Sequence, residues 1–218
     1  METKRWNCKE GEERIAPLYL KEEVSMISTE DYALYTIDIN YLRYLYSIDK
    51  EVYYNPSYKT RIKPFVGIIT GIQNNEYFIP LTSAKPKHKK WRNVSSSHFL
   101  VYETIRKNID HIIVNDDIYK KGSKEEEIIH VLSVLDIKKM IPLVQNCYEK
   151  IDIENINDKK FQSLLKKELD FCKKHKKKIL KKVENFYTTQ VKNNTVKFAS
   201  CNFALLEKAM EDYKKEKE

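Results

Sequence analysis

The chain has 218 residues, of which 41% are hydrophobic, and its 40 Lys and Arg against 32 Asp and Glu leave a net charge of +8. This balance fits one globular domain and excludes a disordered polyelectrolyte, while only four glycines and six prolines exclude collagen-like and Gly- or Pro-rich architectures. Because the sequence has neither a run of about 18 apolar residues nor an apolar leader, we expect a cytoplasmic protein with no contact with a membrane.

The predicted elements alternate short strands with helices. In chain order they are a strand at 33–37, a helix at 39–47, a β-hairpin at 65–81, a strand at 99–102, irregular or helical structure over 103–127, an apolar run at 128–135, a long helix over 161–183 and a last helix over 203–210. Asp38 is a suitable N-cap for the first helix, and Gln73-Asn-Asn marks the hairpin turn. Four or five short strands with segregated helices predict an α+β fold, as a curled antiparallel sheet or a small barrel.

Three segments follow from this pattern. We expect an N-terminal extension at 1–33 that is poorly ordered unless it docks, a domain at 34–210 and a charged tail at 211–218.

Patterns for a resident cofactor are missing from the sequence. The four cysteines form no C-x-x-C pair, and the five histidines form neither H-x-H nor H-E-x-x-H. The glycines at 11, 67, 71 and 122 make neither a P-loop nor a dinucleotide-binding turn. We therefore expect no metal and no cofactor.

The positive charge is clustered in two segments. Between Tyr77 and Tyr102 there are five Lys and Arg and no carboxylate, and residues 159–182 contain eleven lysines against two carboxylates. Lysines around a helix usually serve solubility, but residues 82–92 combine hydroxyls, lysines, a histidine and Trp91. Point charges, hydroxyl donors and a stacking indole suit phosphates and unpaired bases, so RNA or single-stranded DNA is the favoured partner.

Five sequence blocks occur in order along the chain: YTIDINYLRYL at 35–45, KPFVGI at 63–68, PLTSAK at 80–85, MIPL at 140–143 and CNFALL at 201–206. With these blocks in this order, the sequence resembles the ToxN/AbiQ toxins of type III toxin–antitoxin systems. The resemblance implies a twisted antiparallel sheet with helices, related to the Kid/MazF class of toxins. It also implies an endoribonuclease that cuts single-stranded, A-rich RNA without metal, confers phage resistance by abortive infection, and is inhibited by a small structured RNA in a toxin–RNA hetero-oligomer.

The resemblance carries a set of catalytic residues onto this chain. Tyr58 most closely matches the loop tyrosine before the K-P-F strand, and Lys63 precedes that strand's phenylalanine by two residues. Thr82, Ser83 and Lys85 match the hydroxyl pair and lysine of the P-L-T-S-x-K motif.

The correspondence leaves alternatives open. Tyr54 and Lys59 compete with Tyr58, and Trp91 lies six residues after Lys85, whereas relatives commonly have a tryptophan two residues after it. The residues that we expect to bind RNA are Lys59, Arg61, Lys87, Lys89, Lys90, Trp91, Arg92 and Lys174.

The resulting hypothesis is cleavage by the RNA's own 2′-hydroxyl, giving a 2′,3′-cyclic phosphate and a 5′-hydroxyl. Lys85 and Lys63 would stabilise charge on the phosphorane, Thr82 and Ser83 would hold its oxygens, and Tyr58 would stack on a base or transfer a proton. Thr82 and Ser83 are equally compatible with a turn at the strand end. The substrate would be messenger or phage RNA. The alternatives are a non-catalytic RNA-binding protein and an interferase restrained by a protein.

Overall fold

The computed structural model describes residues 32–54, 66–72, 75–106 and 118–217. Within these ranges the chain forms eight strands and three α-helices. The elements are β1 (Tyr35–Ile37), α1 (Ile39–Ile48), β2 (Val66–Ile72), β3 (Asn75–Ser83), β4 (His98–Arg106), β5 (Ile118–Lys121), β6 (Glu127–Asp136), β7 (Ile141–Pro142), β8 (Tyr148–Lys150), α2 (Lys159–Lys192) and α3 (Phe203–Lys217), with 3₁₀ turns at Pro86–Lys90 and Ile137–Lys139.

The strands form one antiparallel sheet in the order β4-β6-β3-β2-β1-β8, with β5 beside β6 and β7 beside β3. The predicted α+β fold with an antiparallel sheet is therefore confirmed. The prediction of four or five strands is wrong for the described residues. β5, β7 and β8 have two to four residues each, too few to show an alternating pattern, and they form by pairing with neighbouring strands.

Local signals place the first helix and the hairpin. The Oδ1 of Asp38 accepts hydrogen bonds from the backbone N–H groups of Asn40 at 2.6 Å and Tyr41 at 3.0 Å, which caps α1 as predicted. β2 and β3 pair from Gly67 opposite Pro80 to Ile72 opposite Asn75, so the predicted hairpin is also confirmed.

The main core lies between the sheet and the helices. Where β4, β6 and β3 pair, Phe99, Leu135 and Leu81 lie side by side and pack into this core. It also contains the apolar face of α2, including Cys172 and Ile179. The predicted amphipathic helix is thus confirmed, and it runs from Lys159 to Lys192, about 50 Å at 1.5 Å per residue.

A second, smaller core lies on the opposite face of the same strands. In the next register row Leu100, Val134 and Thr82 lie side by side, and neighbouring residues of a strand point to opposite faces. Leu100 and Val134 belong to an apolar cluster that Trp91 and Ala84 cover. The segment after β3 therefore folds over one face of the sheet, while α2 covers the other.

Two parts of the chain differ from the predictions. The prediction of irregular or helical structure over 103–127 is wrong at 103–106, where β4 continues, and at 118–121, which forms β5, while residues 107–117 lie outside the described residues. The charged residues of this region are compatible with strands, because side chains on a strand with one open face are polar at alternate positions. In the C-terminal region α3 runs from Phe203 to Lys217 and so includes most of the expected charged tail at 211–218.

Candidate functional site

The end of β3 presents the two hydroxyls of the P-L-T-S-x-K motif. Thr82 pairs with Val134 of β6, and Ser83 pairs with Ser133. Because successive residues of a strand point to opposite faces, Thr82 lies on the face that Trp91 covers, and exposed Ser83 lies on the face that α2 covers. The strand geometry does not bring the two hydroxyls together within one face of the sheet.

The backbone of Lys85 is fixed by a turn that closes on itself. Its N–H donates to the Nδ1 of His88 at 2.9 Å, and its carbonyl oxygen accepts from the backbone N–H of His88 at 2.8 Å. The side chain of Lys85 is exposed, as are those of Lys87 and Lys89. The turn therefore holds the motif lysine at the strand end with its ammonium group in contact with solvent.

Trp91 returns to this strand end in spite of the five residues that separate it from Lys85. Its ring packs against the imidazoles of both His88 and His98, with centroid distances of 4.5 and 4.6 Å. The Nζ of Lys87 lies 5.5 Å from the indole centroid, a cation–π arrangement. The Nζ of Lys120 donates to the carbonyl oxygen of Trp91, which ties the segment to β5. The half-buried indole thus has a fixed position beside exposed cations.

The surroundings favour the neutral form of the two histidines that pack on Trp91. His88 is only 3% exposed, and burial lowers its pKa to about 4, with further contributions from Lys87, Lys85 and His98. Burial also lowers the pKa of His98. At neutral pH the two rings therefore serve as packing and hydrogen-bonding groups, and the positive charge of this surface belongs to Lys and Arg.

Four cations of the predicted RNA-binding set occupy this surface, together with the predicted catalytic Lys85. The exposed cations on the segment after β3 are Lys85, Lys87, Lys89, Lys90 and Arg92. No carboxylate lies between Tyr77 and Tyr102 in the sequence to neutralise them locally. The exposed motif lysine, the indole and these charges together form a surface that can bind the phosphates and an unpaired base of RNA.

A buried carboxylate at the end of β6 was not predicted. Asp136 pairs in register with His98, and its Oδ2 accepts a 2.7 Å hydrogen bond from the hydroxyl of Tyr53. Burial raises the pKa of Asp136. Tyr53 precedes it by 83 residues, so no local pattern indicated the pair. His98 was also missed, and His88 was noted within residues 82–92 without a separate role, although both flank Trp91 within the carboxylate-free segment.

Several predicted residues lie elsewhere or outside the description. Tyr58, Lys59, Arg61 and Lys63 lie outside the described residues. Of the alternatives, Tyr54 packs on α1: its hydroxyl accepts from the Nε of Arg43 at 3.0 Å, and its ring lies 5.2 Å from that of Tyr46.

Lys174 is exposed on α2, which covers the face of the sheet opposite Trp91. The structure therefore does not place this lysine with the cations that follow β3.

Glu168 is a second buried carboxyl, on the side of α2 that faces the sheet. It is 4% exposed, and burial raises its pKa to about 7, against a smaller lowering by Ser133. Among the described residues no three His, Cys, Asp or Glu side chains group as metal ligands would. No helix of the described ranges is long and apolar enough to cross a membrane.

Comparison with known proteins gives consistent matches along most of the chain. The model of the family described as toxin ToxN of type III toxin–antitoxin systems matches residues 33–211. The endoribonuclease ToxN of Pectobacterium atrosepticum is 28% identical over 186 residues, which cover 84% of this chain and 95% of that protein.

Solved structures match over a similar extent. One, from work in which a processed non-coding RNA regulates a bacterial antiviral system, has a TM-score of 0.60 at 27% identity and covers 83% of this chain and 98% of its own. AbiQ, a lactococcal anti-phage endoribonuclease of a type III toxin–antitoxin system, has a TM-score of 0.57 at 21% identity, over 85% of this chain and 99% of its own, and supports the fold alone. Kinship with the Kid/MazF class stays a prediction.

Proposed function

Because the chain belongs to the ToxN family of type III toxin–antitoxin toxins, we propose that it is an endoribonuclease toxin of an antiviral system. The observation that carries this proposal is the match of residues 33–211 to the family, together with 28% identity to an endoribonuclease over nearly its whole length. The exposed Lys85 at the end of β3 supports it on structural grounds, because its N–H donates to His88, whose ring packs on Trp91.

The proposed reaction is cleavage of single-stranded, A-rich RNA by internal transesterification. The 2′-hydroxyl attacks the adjacent phosphorus, and the bond to the 5′ oxygen breaks, leaving a 2′,3′-cyclic phosphate and a 5′-hydroxyl. The protein must align the attack, stabilise the doubly charged phosphorane and deliver a proton to the leaving oxygen. None of these tasks requires a metal ion, so we propose a metal-independent enzyme.

In the P-L-T-S-x-K motif, the lysine stabilises charge and the two hydroxyl residues bind the RNA. Lys85 stabilises the phosphorane, since its ammonium is exposed while its backbone is held by His88. Thr82 binds a non-bridging oxygen on the Trp91 face, and Ser83 contacts the RNA where it crosses the open strand end. Lys63 and Tyr58 complete the site by resemblance to the family.

The remaining cations bind the RNA on either side of the cleaved bond. The segment after β3 supplies exposed charges and an indole for stacking, and base–aromatic stacking tolerates any base. We also propose inhibition by a small structured RNA that occupies this same surface in a toxin–RNA hetero-oligomer. The matching structure from a system regulated by a processed non-coding RNA supports this partner.

The test uses purified protein, stripped of bound RNA, with a defined A-rich RNA in excess EDTA. We expect discrete cuts that end in 2′,3′-cyclic phosphate. Lys85→Ala should abolish cleavage and weaken RNA binding only modestly, because one exposed cation contributes little to the affinity of a multi-cation surface. Lys181→Ala, which removes an exposed lysine of α2, is the matched control and should cut at the wild-type rate.

Two results would contradict the proposal. Cleavage by Lys85→Ala at the wild-type rate would show that the motif lysine has no catalytic role. Binding without any cleavage by the wild-type protein would indicate the alternative function, a non-catalytic RNA-binding protein.

A further inference from the structure

Phe198, in the connection between α2 and α3, exposes 98% of its side chain. Val196, two residues earlier, is also exposed. Apolar side chains are common on protein surfaces, but a phenylalanine with almost no covering contact is a large apolar group left entirely to water. None of the described residues covers this ring, so it is available to pack against a binding partner.

The turn that carries Phe198 is anchored at its base. The N–H of Ser200 donates to the carbonyl oxygen of Lys197 at 3.1 Å, which closes a four-residue turn around Phe198 and Ala199. The Oγ of buried Ser200 donates to the carbonyl oxygen of Lys138 at 3.2 Å, and the N–H of Cys201 donates to the same oxygen at 2.9 Å. These bonds hold the turn against the body of the protein and direct Phe198 outwards.

Ala199, the residue after Phe198, has an uncommon left-handed backbone conformation. Its φ of 54° lies in the left-handed region, which is unfavourable for a residue with a Cβ. Such conformations persist where the surroundings determine them, and they are concentrated at ligand-binding and catalytic positions. The conformation of Ala199 is therefore consistent with a turn built to present the residue before it.

The chemistry around Phe198 matches a nucleic acid strand. From Asn185 to Leu206 the sequence contains two lysines, Lys192 and Lys197, and no carboxylate. The exposed polar residues on the same connection are Asn193, Asn194 and Thr195. An exposed aromatic ring with cations and amide or hydroxyl donors is the combination that binds unpaired bases and their phosphates.

The turn is connected to the candidate site through a single residue. The N–H of Lys138, whose carbonyl oxygen holds Ser200 and Cys201, donates to the carbonyl oxygen of Ser97 at 3.3 Å. Ser97 directly precedes His98, whose ring packs on Trp91. The segment that presents Trp91 and the turn that presents Phe198 are therefore attached to the same 3₁₀ turn after β6.

From these observations we propose that Phe198 is a second base-stacking position for the RNA strand that is engaged at Lys85 and Trp91. This inference rests on the proposed function, because it assigns an additional binding contact to the same substrate. Phe198 binds substrate away from the reacting phosphate, so it contributes affinity equally in the ground state and the transition state. Its removal should raise KM and leave kcat unchanged.

The test measures binding of a short A-rich RNA with 2′-fluoro riboses, which cannot supply the attacking hydroxyl. Phe198→Ala and Phe198→Leu should each weaken binding about tenfold, the range expected for one lost base–aromatic stack. Phe198→Trp should bind like the wild type, because it retains a stacking ring. Leu205→Ala, which shortens an exposed apolar side chain of α3, is the control and should have no effect.

A scan with single abasic positions identifies the stacked base. At one position, loss of the base should weaken binding by the wild type about tenfold and have no further effect on Phe198→Ala. If base removal and Phe198→Ala weaken binding independently at every position, the proposal is wrong. It is also wrong if Phe198→Ala binds RNA as tightly as the wild type and has the same KM, while the wild type cleaves RNA.

Two other outcomes would point to a different function of the protein or of the turn. If the wild type neither binds nor cleaves RNA, the proposed function itself fails. If sedimentation shows self-association of the wild type that Phe198→Ala and Phe198→Trp both lose, the turn is an interface between two copies of the chain, and the stacking proposal is wrong.

Discussion

Replacement of Glu168 by glutamine should stabilise the protein in a manner that depends on pH. Glu168 lies on α2 against the sheet, is 4% exposed, and has a pKa that burial raises from 4.5 to about 7. The folded state therefore retains a proton that the unfolded state releases above pH 4.5. The protonated carboxyl therefore contributes fully to the free energy of unfolding at low pH. This contribution is lost as the pH rises from 4.5 towards 7.

The size of the change in stability follows from the difference between the unfolded and folded pKa values of Glu168. Each pH unit between the unfolded and folded pKa corresponds to about 1.4 kcal/mol, so the loss above neutral pH amounts to about 3 kcal/mol. Glutamine resembles the protonated carboxyl in shape and cannot ionise. Glu168→Gln should thus be more stable than the wild type by about 3 kcal/mol near pH 8, and nearly equal to it at about pH 4.5.

Urea denaturation, followed by circular dichroism at the two pH values, measures this difference. Glu184→Gln is the matched control, because Glu184 is an exposed carboxyl of the same helix and its replacement should change stability by less than about 0.5 kcal/mol. A stabilisation that is the same at both pH values would exclude ionisation of Glu168 as its cause, since it would come from packing. A destabilisation near pH 8 would show that the folded state requires the charged carboxylate.

Two further predictions concern hydrogen bonds that were assigned above. His88→Ala removes the acceptor for the N–H of Lys85 and should slow RNA cleavage, whereas His88→Asn, whose Oδ1 lies close to the position of Nδ1, should largely restore the rate; equal rates for both variants would exclude a positioning role. Asp38→Ala removes the cap of α1 and should lower the free energy of unfolding by about 1 kcal/mol, and urea denaturation showing no change would contradict the capping assignment.

Elements with strong local signals could be predicted from the sequence. Asp38 placed the start of α1, the Asn-rich turn placed the β2–β3 hairpin, and the apolar stripe from Phe161 to Val183 placed α2. The short strand at 118–121 had no such signal, because only pairing with β6 makes it a strand. Its existence depends on partner residues that lie seven to thirteen positions further along the chain.

Residue type and order were enough to predict the α+β class, the clustering of positive charge, the motif at 80–85 and the resemblance to the ToxN family. Only the folded chain shows that Trp91 packs on both His88 and His98, and that α2 carries Lys174 on the other side of the sheet. Strand pairing alternates side chains between the two faces of the sheet. Which face is covered by which segment is then settled by packing between residues that are distant along the chain.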